Sequence, residues 1–205
     1  MSNDSDYLYR DLEICPWLKD GARHTPTLSD LAARMSQRPG RVLVTGCGSG
    51  ELLRLLHNDH GFPADHLYGC DIEPDHAELA RRRTGLKTII EANFNLGNPF
   101  PEIGFDWITA MNWLQSDWPY EYPVKIERAK HPGINRYQEI LDSVSMSANR
   151  GAFFAWDFHK MSLGQEFQEM IERRGWPLRD TLFFPCNERK RYPEFYPIFI
   201  YQVKD

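Results

Sequence analysis

From Arg41 onward the chain alternates short apolar runs with stretches in which apolar residues recur every three to four positions. That alternation is the pattern of strands separated by helices. The apolar runs predict strands at 41–45, 66–70, 87–91, 105–111, 151–157, 178–184 and 197–203, and the helical spacing predicts helices near 50–59, 74–83, 135–147 and 162–174. Strands that alternate with helices pair in parallel and carry helices on both faces. The last two strands are joined by a polar, proline-bounded connection with no helical pattern. They are expected to be antiparallel, because a parallel return needs a crossover of a dozen or more residues, usually helical. The fold class is therefore α/β: a seven-stranded, mostly parallel sheet, helices on both faces, and an antiparallel last strand.

The segment before the sheet reads as a helical extension over residues 1–40. Tyr7, Leu8, Leu12, Ile14 and Trp17 give an uneven apolar pattern that fits a short helix broken before Pro16. Thr27-Leu-Ser-Asp30 matches a capping box, and Leu28, Leu31, Ala32 and Met35 share one helical face leading up to Pro39-Gly40. Such a helix either covers a substrate or packs on the sheet. At 205 residues, 41% hydrophobic, the chain has material for one well-buried core and not for two comfortable domains. One domain over 1–205 is expected.

The candidate chemistry begins at Val42-Leu-Val-Thr-Gly-Cys-Gly-Ser-Gly50. An apolar strand runs into three glycines at alternate positions, and Glu51-Leu-Leu-Arg-Leu-Leu resumes at helical spacing. A backbone without Cβ atoms at every second position can take positive φ and lie close against a ligand, and the following helix aims its unpaired N–H groups at the same place. A dinucleotide fingerprint requires a third glycine where this chain has Glu51. The second strand, His66 to Cys70, ends in Asp71.

Alternate glycines closing a first strand, with an acid closing the second, resemble motif I and the ribose acid of the class I S-adenosylmethionine-dependent methyltransferases. The resemblance extends over roughly residues 41–205 and implies a Rossmann-like fold and S-adenosyl-L-methionine as cofactor, with S-adenosyl-L-homocysteine as product. It implies a cofactor loop of Thr45, Gly46, Cys47, Gly48 and Gly50, and a ribose site at Asp71 with Ile72 beside it. After the third strand, Asn93 with Phe94 would face the adenine, Asn95 being the other amide at hand. The fourth strand opens onto Asn112 and Trp113, where such enzymes face the methionine part of the cofactor. Two departures stand out: Val44 occupies a position usually acidic in this family, so that Thr45 and loop carbonyls would have to compensate, and Asn93 stands for the more usual aspartate.

The segment 115–132 is rich in rings with polar handles, Trp118, Tyr120 and Tyr122 among them. Long loops in compact domains are commonly lids, so Trp113, Trp118, Tyr120 and Tyr122 are the candidate substrate-binding residues. Trp113, Trp118 and Trp156 could also attract a cation through their ring faces. The fifth strand ends in Asp157-Phe-His159. Ligands of open α/β sheets bind beyond the carboxyl ends of strands, so His159 and Asp157 are the candidates for removing a proton from a nucleophile. The Asp157 carboxylate could instead cap the following turn.

The net charge of −5 and the lack of a long Lys/Arg run argue against a nucleic-acid backbone binder. Arg81–Arg83 and Arg189–Arg191 read as solvated charge. Four cysteines, at 15, 47, 70 and 186, show no zinc-ligand spacing, and no metal is expected. No apolar run approaches the roughly 18 residues of a membrane span, and the polar start lacks the features of a signal peptide; the expected setting is cytoplasmic and reducing. The expected function is methyl transfer to a small-molecule acceptor by in-line displacement. A non-catalytic nucleoside- or partner-binding protein, and methylation of RNA or protein, stay open, as does the oligomeric state, a homodimer included.

Overall fold

The computed structural model describes residues 28–110, 136–157, 161–182 and 198–204. Seven strands form one sheet: β1 (Val42–Thr45), β2 (Leu67–Asp71), β3 (Ile89–Glu91), β4 (Phe105–Ala110), β5 (Ala148–Asp157), β6 (Leu178–Leu182) and β7 (Ile198–Gln202), in the order β3-β2-β1-β4-β5-β7-β6. The first five pair in parallel, and β7 runs antiparallel to both β5 and β6. The reversed last strand expected from a connecting sequence without helical pattern is thus present.

Because successive strand residues face opposite sides, the apolar strands feed two cores. Val42, Val44, Leu67, Ile89, Trp107 and Ile200 share one with α1 (28–36) and with α2 (Glu51–Arg54). The helix α3 (Pro74–Thr84) joins that core through Ala77 and Ala80. Leu43, Cys70, Ile108, Phe154 and Tyr201 share the other with α4 (Arg136–Ser147) and α5 (Met161–Arg173). Leu31, Ala32 and Met35 of α1 are fully buried, so this helix packs on the sheet as one of its two expected alternatives held. Trp107 and Trp156 are core residues as well, 2% and 1% exposed; Trp156 packs on Phe167 and Phe199 rather than offering its face at the rim.

Two elements differ from the sequence pattern. The helix expected over 50–59 is α-helical only to Arg54 and then widens into a π turn at Leu55–Asp59. His60 N–H reaches back to the Leu55 carbonyl, and the His57 ring bonds the Phe62 carbonyl, 2.9 Å away, which lets Phe62 turn into the core. Strand β5 begins three residues early, at Ala148, with an irregular register against β4 between Phe105 and Trp107. Gly151, at φ 79°, interrupts the apolar run there.

The amino-terminal ends of β1, β4 and β5 are fastened by Asp106. Its Oδ2 accepts from Arg41 N–H at 2.8 Å, and its Oδ1 from Asn149 Nδ2 at 2.9 Å. The opposite ends of β1 and β2, where the glycine loop and Asp71 emerge, carry the candidate site.

Candidate functional site at the carboxyl ends of β1 and β2

Gly46, Gly48 and Gly50 all have left-handed backbones, φ 58°, 53° and 76°. An L residue with a Cβ pays roughly 1–2 kcal/mol for that conformation, so the alternating glycines are what allow β1 to turn directly into α2. Gly50 is also needed for close packing: a Cβ there would lie 3.0 Å from the Ala80 methyl and 3.1 Å from Thr84 Cγ2. A Cβ on Gly48 would meet nothing within 4 Å among the described residues. No described residue thus fills the space over the middle of the loop, as a cradle requires.

Asp71 is joined to this loop. Its Oδ2 accepts from Gly48 N–H at 2.8 Å, and its Oδ1 accepts from Glu73 N–H at 3.0 Å. The loop is further tied to β2 by Cys47 N–H donating to the Cys70 carbonyl at 3.0 Å. Asp71 is 6% exposed, and the imidazole of His76 in α3 approaches its Oδ1 to 3.5 Å. The next residue, Ile72, is 38% exposed, a large apolar side chain at the mouth of the same site. Helix α3 is set against this corner by Pro74 in its first turn and ends at left-handed Gly85, whose N–H caps the Arg81 carbonyl at 2.8 Å.

The loop is gripped from behind by charge. Arg83 of α3 donates to Glu51 Oε2 at 3.1 Å and to the Ser49 carbonyl at 3.4 Å, and Arg54 donates to Glu51 Oε1 at 2.9 Å. Partial burial pushes the Glu51 carboxyl up, but the Arg54 and Arg83 guanidiniums outweigh it and hold the group below its ordinary range. Glu51, which breaks the dinucleotide fingerprint, is thus a strut between α2 and α3.

The remaining predicted residues take different places. Thr45 is fully buried and donates to the Thr109 carbonyl at 2.6 Å, bracing β1 against β4. Cys47 and Cys70 are buried thiols in separate cores. Burial, then the Asp71 charge, pushes both up, Cys70 to about 12, so they are packers. Asn93 accepts from Asn95 N–H at 3.0 Å and caps the short turn Phe94–Leu96. The Phe94 ring is 3% exposed within the core, so what it presents to a ligand is backbone rather than a stacking face. Asp157 closes β5 opposite Ile198. His159, Asn112, Trp113, Trp118, Tyr120 and Tyr122, with the 115–132 segment, lie outside the described residues. Sequence reasoning passed over His76, which reads as one more polar position on a helix.

A family model described as a methyltransferase domain matches residues 42–131, a span that includes the glycine loop, Asp71 and Asn93. Over those residues the chain is similar to a methyltransferase domain. Solved structures share the fold. N-methyltransferase NodS from Bradyrhizobium japonicum, in complex with S-adenosyl-L-homocysteine, is 14% identical over 100% of this chain and 94% of its own, with a TM-score of 0.63. Magnesium protoporphyrin IX methyltransferase from Synechocystis, with bound S-adenosylmethionine, is 16% identical over 88% of this chain and 80% of its own, at 0.60. A chain from the complex between the Haloferax volcanii Trm112 methyltransferase activator and a methyltransferase is 16% identical over 93% and 97%, at 0.61. No curated protein matched the sequence. The resemblance drawn from the glycines and the acid is borne out by the domain match and by the Rossmann-like fold of the methyltransferase domain. No helix among the described residues is long and apolar enough to cross a membrane, and they contain no cluster of metal-ligating side chains.

Proposed function

We propose that this methyltransferase domain binds S-adenosyl-L-methionine and transfers its methyl group to a small-molecule acceptor. The observation that carries the reading is the 2.8 Å bond from Gly48 N–H to Asp71 Oδ2, which makes loop and acid one cradle, with no described residue over Gly48. The residues fit the cofactor: Asp71 keeps acceptor positions for a ribose diol, Gly46 to Gly50 allow close backbone approach, and Ile72 supplies an apolar surface for a base. When bound, the cofactor supplies a methyl group on a positively charged sulfur, already attached to a good leaving group.

The chain's own part is to hold, align and exclude water. Alignment of this kind is worth about 7–11 kcal/mol. Asn93 and the Phe94 backbone are assigned to the adenine edge, Thr45 and Asn112 to the methionine end, and Trp113, Trp118, Tyr120 and Tyr122 to the acceptor. Asp157, which closes β5, and His159 are assigned to proton removal, a role worth typically 10²–10⁴-fold in rate. The acidic net charge supports a small acceptor over a nucleic-acid one, and the magnesium protoporphyrin IX enzyme is a precedent for a small acceptor. Free buried thiols support a reducing, cytoplasmic setting.

The test is a panel of metabolite acceptors with S-adenosylmethionine, read by mass spectrometry for S-adenosylhomocysteine and methylated product. Turnover of a small acceptor supports the reading. Turnover only with RNA or protein, or cofactor binding without any turnover, would replace it with one of its two rivals.

A further inference from the structure

An ionised carboxylate offers about four acceptor positions. On Asp71 two are filled by backbone, Oδ2 by Gly48 N–H at 2.8 Å and Oδ1 by Glu73 N–H at 3.0 Å. Two are left, the number a ribose diol requires. His76 Nδ1 stands 3.5 Å from Oδ1, with the imidazole 21% exposed and the carboxylate 8%. The position follows from the fold: Pro74 starts α3 immediately beyond β2, and the first helical turn brings residue 76 back over the strand end.

We propose that His76 belongs to the ligand site and makes nucleoside binding proton-dependent, an inference that rests on the assignment of Asp71 to the ribose. A neutral imidazole protonated at Nε2 presents Nδ1 as an acceptor beside Oδ1, so a ribose hydroxyl can donate to either. The imidazolium donates from both ring nitrogens. It then takes a position on Asp71 that the ribose needs, and its charge opposes a sulfonium nearby. Binding therefore weakens as pH falls through the range where imidazoles change charge.

Among the described residues, the other ionisable groups on the surrounding elements are Glu73 just before the helix, Asp75, Glu78 and Arg81 to Arg83 on it, Tyr68 and Cys70 on β2, Glu91 in register with Asp71 at the end of β3, and Glu51 on α2, which Arg54 and Arg83 already engage. The glycine loop adds only the Cys47 thiol, which burial keeps protonated. A His76→Gln variant keeps all of these, so any proton dependence that it removes belongs to His76.

The experiment is calorimetric titration with S-adenosylhomocysteine at about pH 7.5 and about pH 5.5, where the wild type should lose about tenfold in affinity. His76→Gln should bind equally at both values, and His76→Ala, checked for folding by circular dichroism, should do the same with a weaker affinity overall. A wild type with equal affinity at both pH values, or a His76→Gln variant that keeps the slope, overturns the proposal and leaves the ribose assignment standing. A wild type that binds at neither pH removes the ribose assignment and this inference together.

Discussion

Two aspartates lie beside glycines near opposite ends of β1, and they are used differently. At the amino end, Asp106 accepts from Arg41 N–H and Asn149, and a Cβ on Gly40 would fall 2.4 Å from its Oδ2 and 2.6 Å from its own Cβ. At the carboxyl end, Asp71 also accepts twice, from the Gly48 and Glu73 N–H groups, but a Cβ on Gly48 would touch no described residue. Each carboxylate accepts two hydrogen bonds within the fold, so hydrogen bonding alone does not separate a fastener from a binding group. The space over the glycine does: at Gly40 it is filled by the aspartate itself, and at Gly48 no described residue enters it.

The sharpest way to break this comparison is to delete each carboxylate in turn. Asp71→Ala should weaken S-adenosylhomocysteine binding by about a hundredfold or more, since two hydrogen bonds to a charged acceptor contribute roughly 1.5–3 kcal/mol each. Asp106→Ala should leave that affinity within about twofold, the sites being far apart, and lower unfolding free energy in urea by about 1–2 kcal/mol. If the two variants behave alike, the distinction between the ends of β1 is wrong.

The glycines sharpen the comparison further. Gly40→Ala should cost about 1–3 kcal/mol of stability through overpacking against Asp106, with little change in ligand affinity. Gly48→Ala should cost about 1–2 kcal/mol from its left-handed backbone and in addition weaken binding, because its methyl enters the open cradle. Paired denaturation and calorimetry on each variant would show which glycine guards space for a ligand.

The smallest effect belongs to Glu51. Because its folded carboxyl lies below the ordinary value, the Arg54–Glu51–Arg83 contact stabilises the fold fully above the unfolded value of about 4.3 and loses that contribution as pH falls below it. Glu51→Gln should therefore be less stable than wild type near neutral pH, by less than about 1 kcal/mol. The difference should close in acid. Urea midpoints at the two pH values check the sign, and a gap that persists in acid would assign the role to packing instead.

Much of this geometry was legible in the chain. Three glycines after Val42-Leu-Val44 and an acid after the next apolar run fix a strand, a turn and a neighbouring strand end, because each step is local. The reversed β7 was legible for the same kind of reason: the connection before it is too polar to be a crossover helix. What was hidden depended on packing between elements. The π turn after Arg54 exists because Phe62 folds into the core and its carbonyl meets His57. The Phe94 ring follows an exposed-looking, Asn-rich stretch yet turns inward. His76 gains its meaning only when α3 folds back over β2.

The most direct measurement is a crystal structure of the protein grown with S-adenosylhomocysteine. The account predicts the nucleoside over Gly48, with ribose oxygens within about 3.2 Å of the Asp71 carboxylate. A nucleoside bound elsewhere, or one over the glycine loop whose ribose avoids Asp71, would contradict it.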